Sequence, residues 1–376
     1  LSGDYAYMAR AIRLARLGLY TTDPNPRVGC VLVRDGEVVG EGRHHRAGEP
    51  HAERIAIAAA GDRARSATAY VTLEPCCHQG RTAPCTEGLL EAGVKRVVAA
   101  MVDPNPLVAG KGMATMRANH VDVRVGVLET EARDLNPGFI KRMEQELPYV
   151  CCKLAASLDG RTAMASGESK WISSEAARRD VQLLRARSSA ILTGIGTLLA
   201  DDPSMNVRLG AEDLPGMEPG ERVRQPLRVV VDSRLRTPPG ARLLGLPGKT
   251  LIACLDQGPS EMMRLESAGA DIYVCPAGGG AVDLESLLRH LAHQEINEVM
   301  VEAGPTLSGA LLQANLVDEI VLYLAPHLMG DDARGLFRLP GLERMQDRVE
   351  LKIRDLRMVG PDLRITAVPK SIINSV

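Results

Sequence analysis

Aromatic side chains are scarce in this chain: two Phe, one Trp and seven Tyr make up 3% of 376 residues. That shortage argues against a surface built to stack nucleic-acid bases, and it leaves the cores to Leu, Val, Ile, Ala and Met. A charge excess of either sign is also missing. Lys and Arg number 45 against 47 Asp and Glu, a net charge of −2, and no block of like charge stands out. A strong polyanion-binding face is therefore not expected. No apolar run approaches the roughly 18 residues of a membrane span. The N-terminal LSGDYAYMARAIRLAR carries charges too early and too often for a signal peptide. Together these absences predict a cytoplasmic protein with no nucleic-acid and no membrane partner. Cysteines number only eight, and in a reducing compartment a disulfide framework is not expected.

What is present reads as α/β. The length predicts two domains. Apolar spacing predicts a helix over 4–19. VGCVLV, Asp35-Gly36 and EVVGEG predict a hairpin with a two-residue turn. Helices are expected over 50–61, 86–93 and 111–118, interleaved with strands over 67–73, 95–101 and 121–127. A charged helical pattern over 129–148 is broken by Asn136-Pro137-Gly138, and YVCCKLAAS then starts a strand. The predicted boundary falls near 147, giving domains 1–147 and 148–376. In the second, strands are expected over 188–194, 227–233, 249–255, 270–276, 297–304 and 318–326. A Gly-, Pro- and Glu-rich surface loop is expected over 209–226.

Three of the eight cysteines crowd into VTLEPCCHQGRTAPC at 71–85, and His51-Ala52-Glu53 lies upstream at a predicted helix start. One histidine and two cysteines supply three zinc ligands and leave a fourth position for water, the arrangement of a catalytic site. At a helix's first turn His51 and Glu53 can both reach a point beyond its N-terminus, because side chains lean that way. Cysteines at the front of another helix gain from its unpaired N–H groups, which favour thiolate.

The His51-Ala-Glu53 and Pro75-Cys76 runs resemble the zinc-dependent cytidine-deaminase superfamily, whose signature is H-x-E followed by P-C-x-x-C. Here eight residues separate Cys76 from Cys85 where the signature has two. The resemblance implies zinc on His51, Cys76 and Cys85, Glu53 as proton shuttle, and Cys77 as a bystander. PNPRVGCVLV, GEPHAE, TLEPC, HQGRTAPC and DPNPLVAGKG narrow it to the deaminase of riboflavin biosynthesis, which acts on a phosphorylated pyrimidine. Asn25, His44, His78, Arg81, Asp103 and Asn105 are then the substrate candidates.

The second half has no GxGxxG. It has glycine turns at 193–203 (Gly194, Gly196) and 301–312 (Gly304-Pro305-Thr306), each either an anion site at a helix N-terminus or an ordinary connection. KLAASLDGRTAMASGESKWIS, TGIGTLLADDPSMNVR, VVVDS and VEAGPTLSGALL resemble the pyrimidine reductase of the same pathway, with a dihydrofolate-reductase-like fold. That resemblance implies NADPH lined by Ala155, Trp171, Thr197, Asp201, Ser233, Gly304, Pro305, Thr306, Leu307, Ser308, Gly309 and Ala310. It places Ser169, Arg185, Met205, Arg208 and Glu302 on the pyrimidine or its phosphate. Lys153 and Glu302, at strand ends, are the candidate proton donors. Trp171 could equally serve packing alone. His290 and His293, three apart on one helix, are expected on a solvated face. Cys30, Cys151, Cys152, Cys254 and Cys275 fall in strand patterns as buried small side chains.

The resulting expectation is a cytidine-deaminase-like α/β/α domain followed by a dihydrofolate-reductase-like α/β domain, in a bifunctional riboflavin-pathway deaminase and reductase with one Zn2+ and NADPH. A homo-oligomer, dimer or larger, is expected. A nucleic-acid-editing deaminase is the rival, disfavoured by the charge and the aromatic shortage. A regulatory zinc protein would need a fourth ligand and no use for Glu53.

Overall fold

The computed structural model describes residues 2–78 and 83–370. The chain divides into two compact units, one of residues 1–147 with 210–222, the other of 148–209 with 223–376.

The first unit runs α1 (Ser2–Arg16), β1 (Gly29–Arg34), β2 (Glu37–Arg43), α2 (Ala52–Ala60), β3 (Thr68–Val71), α3 (Cys85–Glu91), β4 (Arg96–Ala99), α4 (Lys111–Ala118), β5 (Asp122–Val125), α5 (Glu129–Arg133) and α6 (Pro137–Gln145). Its sheet has the order β2-β1-β3-β4-β5, with β1 antiparallel to both neighbours and β3, β4 and β5 parallel. Asp35 and Gly36 take positive φ (52° and 82°) at the β1–β2 turn, the backbone a two-residue hairpin needs. Strand alternation splits β1 between two cores. Val31 and Val33 join Met8, Ile12, Phe139 and Ile140 on one face. Cys30 and Leu32 join Ala52, Ala56, Leu89 and Met116 on the other. The unit is thus three layers, helix, sheet, helix.

Helix α2 lies directly on β2. A Cβ at Gly40 would sit 2.2 Å from the Ala56 carbonyl oxygen, and one at Gly42 would sit 2.1 Å from that of Ala52. Glycine on the strand and Ala52, Ala56 and Ala60 on the helix permit this approach, which fixes where the start of α2 points. The helix expected over 4–19 ends at Arg16. The pattern over 129–148 becomes two helices, because Asn136 caps the second and Pro137 begins it.

The second unit holds β6 (Tyr149–Ser157), β7 (Arg161–Ala163), α7 (Glu175–Arg187), β8 (Ala190–Gly194), α8 (Ile195–Asp201), β9 (Leu227–Val231), β10 (Thr250–Cys254), α9 (Pro259–Glu266), β11 (Asp271–Val274), the short pair β12 (Ala277–Gly278) and β13 (Ala281–Val282), α10 (Leu284–His293), β14 (Glu298–Val301), α11 (Pro305–Gln313), β15 (Glu319–Ala325), β16 (Arg334–Gly335), β17 (Leu351–Val359) and β18 (Asp362–Pro369). Its main sheet has the order β11-β10-β9-β8-β14-β6-β15-β18-β17. The strands are parallel from β11 to β15 and antiparallel in the last two pairs. The C-terminal ends of β8 and β14, neighbours in this sheet, carry the two glycine turns. Strands β17 and β18 are additions to the elements expected from sequence.

Candidate active sites

His51 is the N-cap of α2, and Glu53 stands in its first turn. Cys85 opens α3, and its amide donates to the Cys76 sulfur at 3.4 Å. The His51 Nδ1 lies 3.6 Å from the Cys76 Sγ and 3.3 Å from the Cys85 Sγ. All three ligand atoms fall within 4.8 Å of one another. Tetrahedral zinc with its ordinary bond lengths would hold nitrogen and sulfur about 3.6 Å apart, so these residues fit that ion. Among the described residues this is the one His/Cys/Asp/Glu group with such convergence, and Cys77 is outside it. Hydrogen bonds from Cys85 and His51 hold Cys76 well below the usual thiol range. Cys76 and burial push Cys85 up. Zinc ligation requires deprotonated sulfur, and at Cys76 the Cys85 amide stands as a donor to it.

Glu53 is buried, and that burial raises its pKa above the usual carboxylate value. Arg54 ties the two ligand-bearing helices together, donating to the Pro84 carbonyl at 2.9 Å with its guanidinium against the bare α-carbon of Gly88.

Of the substrate candidates of this unit, His44 stands beside that centre and Asn25 beside His44. His44 is buried, lies edge-on to His51 with ring centres 5.2 Å apart, and meets the Asn25 amide nitrogen at 3.0 Å. Burial lowers its pKa, against the opposing Pro50 carbonyl. The turn carrying Asn25 is held by Asn136, which accepts from the Arg27 amide at 2.7 Å and donates to its carbonyl at 3.0 Å. Burial pushes Asp103 up to about 7, against the hydrogen bond its carboxylate takes from the Asn105 amide. His78 is half-buried and its Nδ1 has no protein partner among the described residues. Arg81 lies outside the described residues.

In the second unit Arg185 and Glu302 form a two-pronged pair, Nε to Oε1 at 2.6 Å and Nη2 to Oε2 at 2.8 Å. Burial would raise Glu302, but Arg185 overrides it with help from Lys153 and Arg208, and the carboxyl stays below its usual range. Both carboxylate oxygens of Glu302 thus accept from Arg185. Burial lowers the ammonium pKa of Lys153, against the attraction of Glu302. Arg208 lies close enough to feel both Arg185 and Glu302, and Met205, buried, precedes it on the same loop.

Among the NADPH candidates, Ser233 and Gly304 follow the carboxyl ends of parallel strands, where ligands of open α/β sheets bind. A Cβ at Gly304 would stand 3.8 Å from the Thr197 Oγ1, so the two glycine turns are neighbours. Gly304 caps α11, whose first turn begins Pro305, Thr306, Leu307. Ser308 is buried, Gly309 packs on the Arg338 backbone, and Ala310 follows on the same helix. Ser233 lies just beyond β9 and accepts from the Val282 amide at 3.2 Å. Asp201 pairs with Lys170 at 3.6 Å, beside half-buried Ser169. Ala155 sits on β6 opposite Tyr323 of β15. Trp171 does not serve packing: it is 73% exposed, with the Arg178 guanidinium 4.6 Å from its ring centre. His290 is half-buried, its ring stacked on Tyr273 with centres 3.6 Å apart, and His293 is exposed.

Sequence reasoning passed over Tyr323. Its hydroxyl donates to Asp180 at 2.5 Å, Arg364 donates to the same carboxylate at 2.7 Å, and the Lys153 Nζ lies 5.8 Å from its ring centre. Its one sequence signal is a tyrosine at an inward-facing strand position.

Comparison with known proteins covers the whole of this arrangement. The family described as RibD C-terminal domain matches residues 148–365, and the cytidine and deoxycytidylate deaminase zinc-binding region matches 1–101. Riboflavin biosynthesis protein RibD of Escherichia coli (strain K12) is 53% identical over 362 residues, covering 96% of this chain and 98% of that protein. The Haemophilus influenzae protein of the same name is 48% identical, covering 99% of each. Among solved structures, Acinetobacter baumannii RibD (form 1) aligns with a TM-score of 0.90 at 45% identity, covering 98% of this chain and 99% of that one. A Thermotoga maritima structure described as a diaminohydroxyphosphoribosylaminopyrimidine deaminase and 5-amino-6-(5-phosphoribosylamino)uracil reductase aligns at 0.84 and 31% identity, with the same coverage.

Proposed function

This chain belongs to the RibD family of riboflavin-biosynthesis proteins, and from that membership we propose which of its residues carry the two reactions. It is a bifunctional enzyme with Zn2+ and NADPH as cofactors. It hydrolyses the amino group of 2,5-diamino-6-(5-phosphoribosylamino)pyrimidin-4-one, then reduces the ribosyl group to give 5-amino-6-(5-phosphoribitylamino)uracil.

The observation that carries the site assignment is the convergence of His51, Cys76 and Cys85 beside buried Glu53. Those three residues would hold zinc, which when bound supplies the Lewis acidity that makes water a nucleophile near neutral pH. Glu53 takes the proton of the attacking water and delivers it to the departing ammonia. A carboxyl raised by burial is suited to both transfers. His44 and Asn25 meet the ring, and Asp103, Asn105 and His78, together with Arg81, complete the substrate set. In the second unit NADPH supplies hydride to the sugar carbon. We assign the proton for the ring oxygen that becomes a hydroxyl to Lys153, whose ammonium is destabilised by burial, rather than to Glu302, whose two oxygens are engaged by Arg185. Glu302 holds Arg185 in place, and Arg185 and Arg208 face the phosphorylated pyrimidine. The α11 N-terminus offers amides to the NADPH phosphates.

Glu53→Gln tests the first assignment. Ammonia release should fall on the order of 10²–10⁴-fold with one zinc still bound per chain. NADPH oxidation should persist when the already deaminated pyrimidine is supplied. Ammonia release at the wild-type rate would remove Glu53 from the reaction.

Among the described residues no helix is long and apolar enough to cross a membrane. All eight cysteines are free thiols, which supports our placing the enzyme in the reducing cytoplasm. We also assign a second copy of the chain to the face of β17. Leu351, Ile353, Leu356 and Met358 are 43–62% exposed. They pair with Pro369, Ala367, Ile365 and Leu363, alternate residues of β18, because an irregularity between Ile353 and Asp355 shifts the register. Four apolar side chains thus share one face of an edge strand, a surface that monomers avoid.

A further inference from the structure

We propose that Glu74 is a positioning residue of the deamination. Its buried carboxylate fixes the loop that carries Asp103 and Asn105 against the chain segment that carries Cys76. The proposal rests on Asp103 and Asn105 facing the substrate, as assigned above.

Glu74 is 3% exposed and follows β3 by three residues. Its Oε2 accepts from the Asp103 amide at 3.1 Å and from the Gly110 amide at 2.9 Å. Its Oε1 accepts from the Met113 amide at 3.0 Å. One oxygen therefore ties both ends of the 103–110 loop, and the other reaches into the first turn of α4. That helix has Gly110 as its N-cap, with no side chain to serve its open amides. Glu74 does so from another segment, where the helix dipole favours a negative group.

The approach is built for that one group. A Cβ at Gly112 would stand 2.1 Å from the Pro75 carbonyl oxygen and 3.0 Å from the Glu74 Oε1, so residue 112 must be glycine for the two segments to meet. Between its tied ends the loop is braced internally. Asp103 Oδ1 accepts from the Asn105 amide at 2.8 Å, Asn105 Oδ1 from the Leu107 amide at 3.0 Å, and the Asn105 carbonyl from the Val108 amide at 2.9 Å. The loop is a braced piece tied at both ends by Glu74, which is two residues from Cys76. An amide at position 74 could not replace it. Every partner is an N–H donor, so a glutamine NH2 would face a donor and leave buried groups unpaired.

The test is Glu74→Gln in the full-length, zinc-loaded enzyme. The KM for the diaminopyrimidinone in ammonia release should rise at least about tenfold, the loss of one buried hydrogen bond to a charged group, with kcat falling less. Zinc should stay at one per chain, and NADPH oxidation on the deaminated pyrimidine should be unchanged. Hydrogen exchange at residues 103–113 should accelerate by a similar factor. Faster exchange with KM and kcat both within about twofold of wild type would overturn the proposal, leaving Glu74 a helix cap without effect on substrate. Unchanged exchange would overturn it too. If Glu74→Gln loses zinc or precipitates, Glu74→Asp is read instead. That variant keeps the charge one methylene shorter and should raise KM by a smaller factor, and an unaltered KM there would be equally fatal. A wild-type enzyme that released no ammonia would instead sink the functional assignment on which the proposal stands.

Discussion

Asp4 fastens the first helix to three strands at once. Its carboxylate accepts from Tyr70 of β3 at 2.8 Å, from both Arg96 terminal nitrogens of β4 at 2.9 Å, and from Arg124 of β5 at 2.7 Å. The Arg96 hydrogen bond, opposed by burial, lowers its pKa from 3.8 to about 2. A depressed carboxylate adds stability that is complete above about pH 5 and lost as the pH falls through 3.8 toward 2. The contribution is on the order of 2 kcal/mol. Asp4→Asn should therefore lower urea stability at pH 7 by about that amount and flatten the acid slope between about pH 5 and 2. A variant whose pH–stability curve overlays the wild type would show that the cluster contributes nothing. At this scale the sequence is unevenly informative. His51, Glu53, Cys76 and Cys85 are legible because zinc chemistry dictates their types and order. Glu74 is not, since its partners are backbone amides 29, 36 and 39 residues away. The pairing of Glu302 is not legible either, because its partner is an arginine 117 residues distant.

At the scale of elements, α2 and α3 could be read because helix start signals and glycine stops lie inside each segment. Strand β17 was missed for a physical reason. LKIRDLRMV breaks strict alternation at Arg354, where the β17 register shifts, so a period-two pattern fails over its length. The same irregularity keeps the four exposed apolar side chains on one face. Light scattering should therefore give a mass of two chains or more at micromolar concentration. Ile353→Lys should push the enzyme toward the single-chain mass, because a charge would be buried in the contact. A wild-type enzyme that stays monomeric would contradict the assignment of this face to a second copy.

At the scale of the molecule, the α/β alternation follows from the spacing of apolar residues and a two-part organisation from the length. The place of 210–222 does not. A Gly- and Pro-rich stretch reads as a surface loop, yet it is counted with the first unit. Glu221 meets His45 at 2.7 Å, Arg43 donates to the Gly216 carbonyl at 2.9 Å, and Gly216 at φ 89° lies so close to Leu17 that a Cβ would be 2.0 Å from its oxygen. These contacts bridge 173 residues or more and leave no local trace.

The central claim, that one chain deaminates and then reduces, is tested most directly by a single time course. Zinc-loaded enzyme is mixed with the diaminopyrimidinone ribosyl phosphate and NADPH, and ammonia and NADPH are followed in the same vessel. The account predicts that ammonia rises first and that NADPH oxidation follows after a lag, reaching one NADPH consumed per ammonia released. NADPH oxidation that precedes or ignores ammonia release, or ammonia release with NADPH untouched, would contradict it.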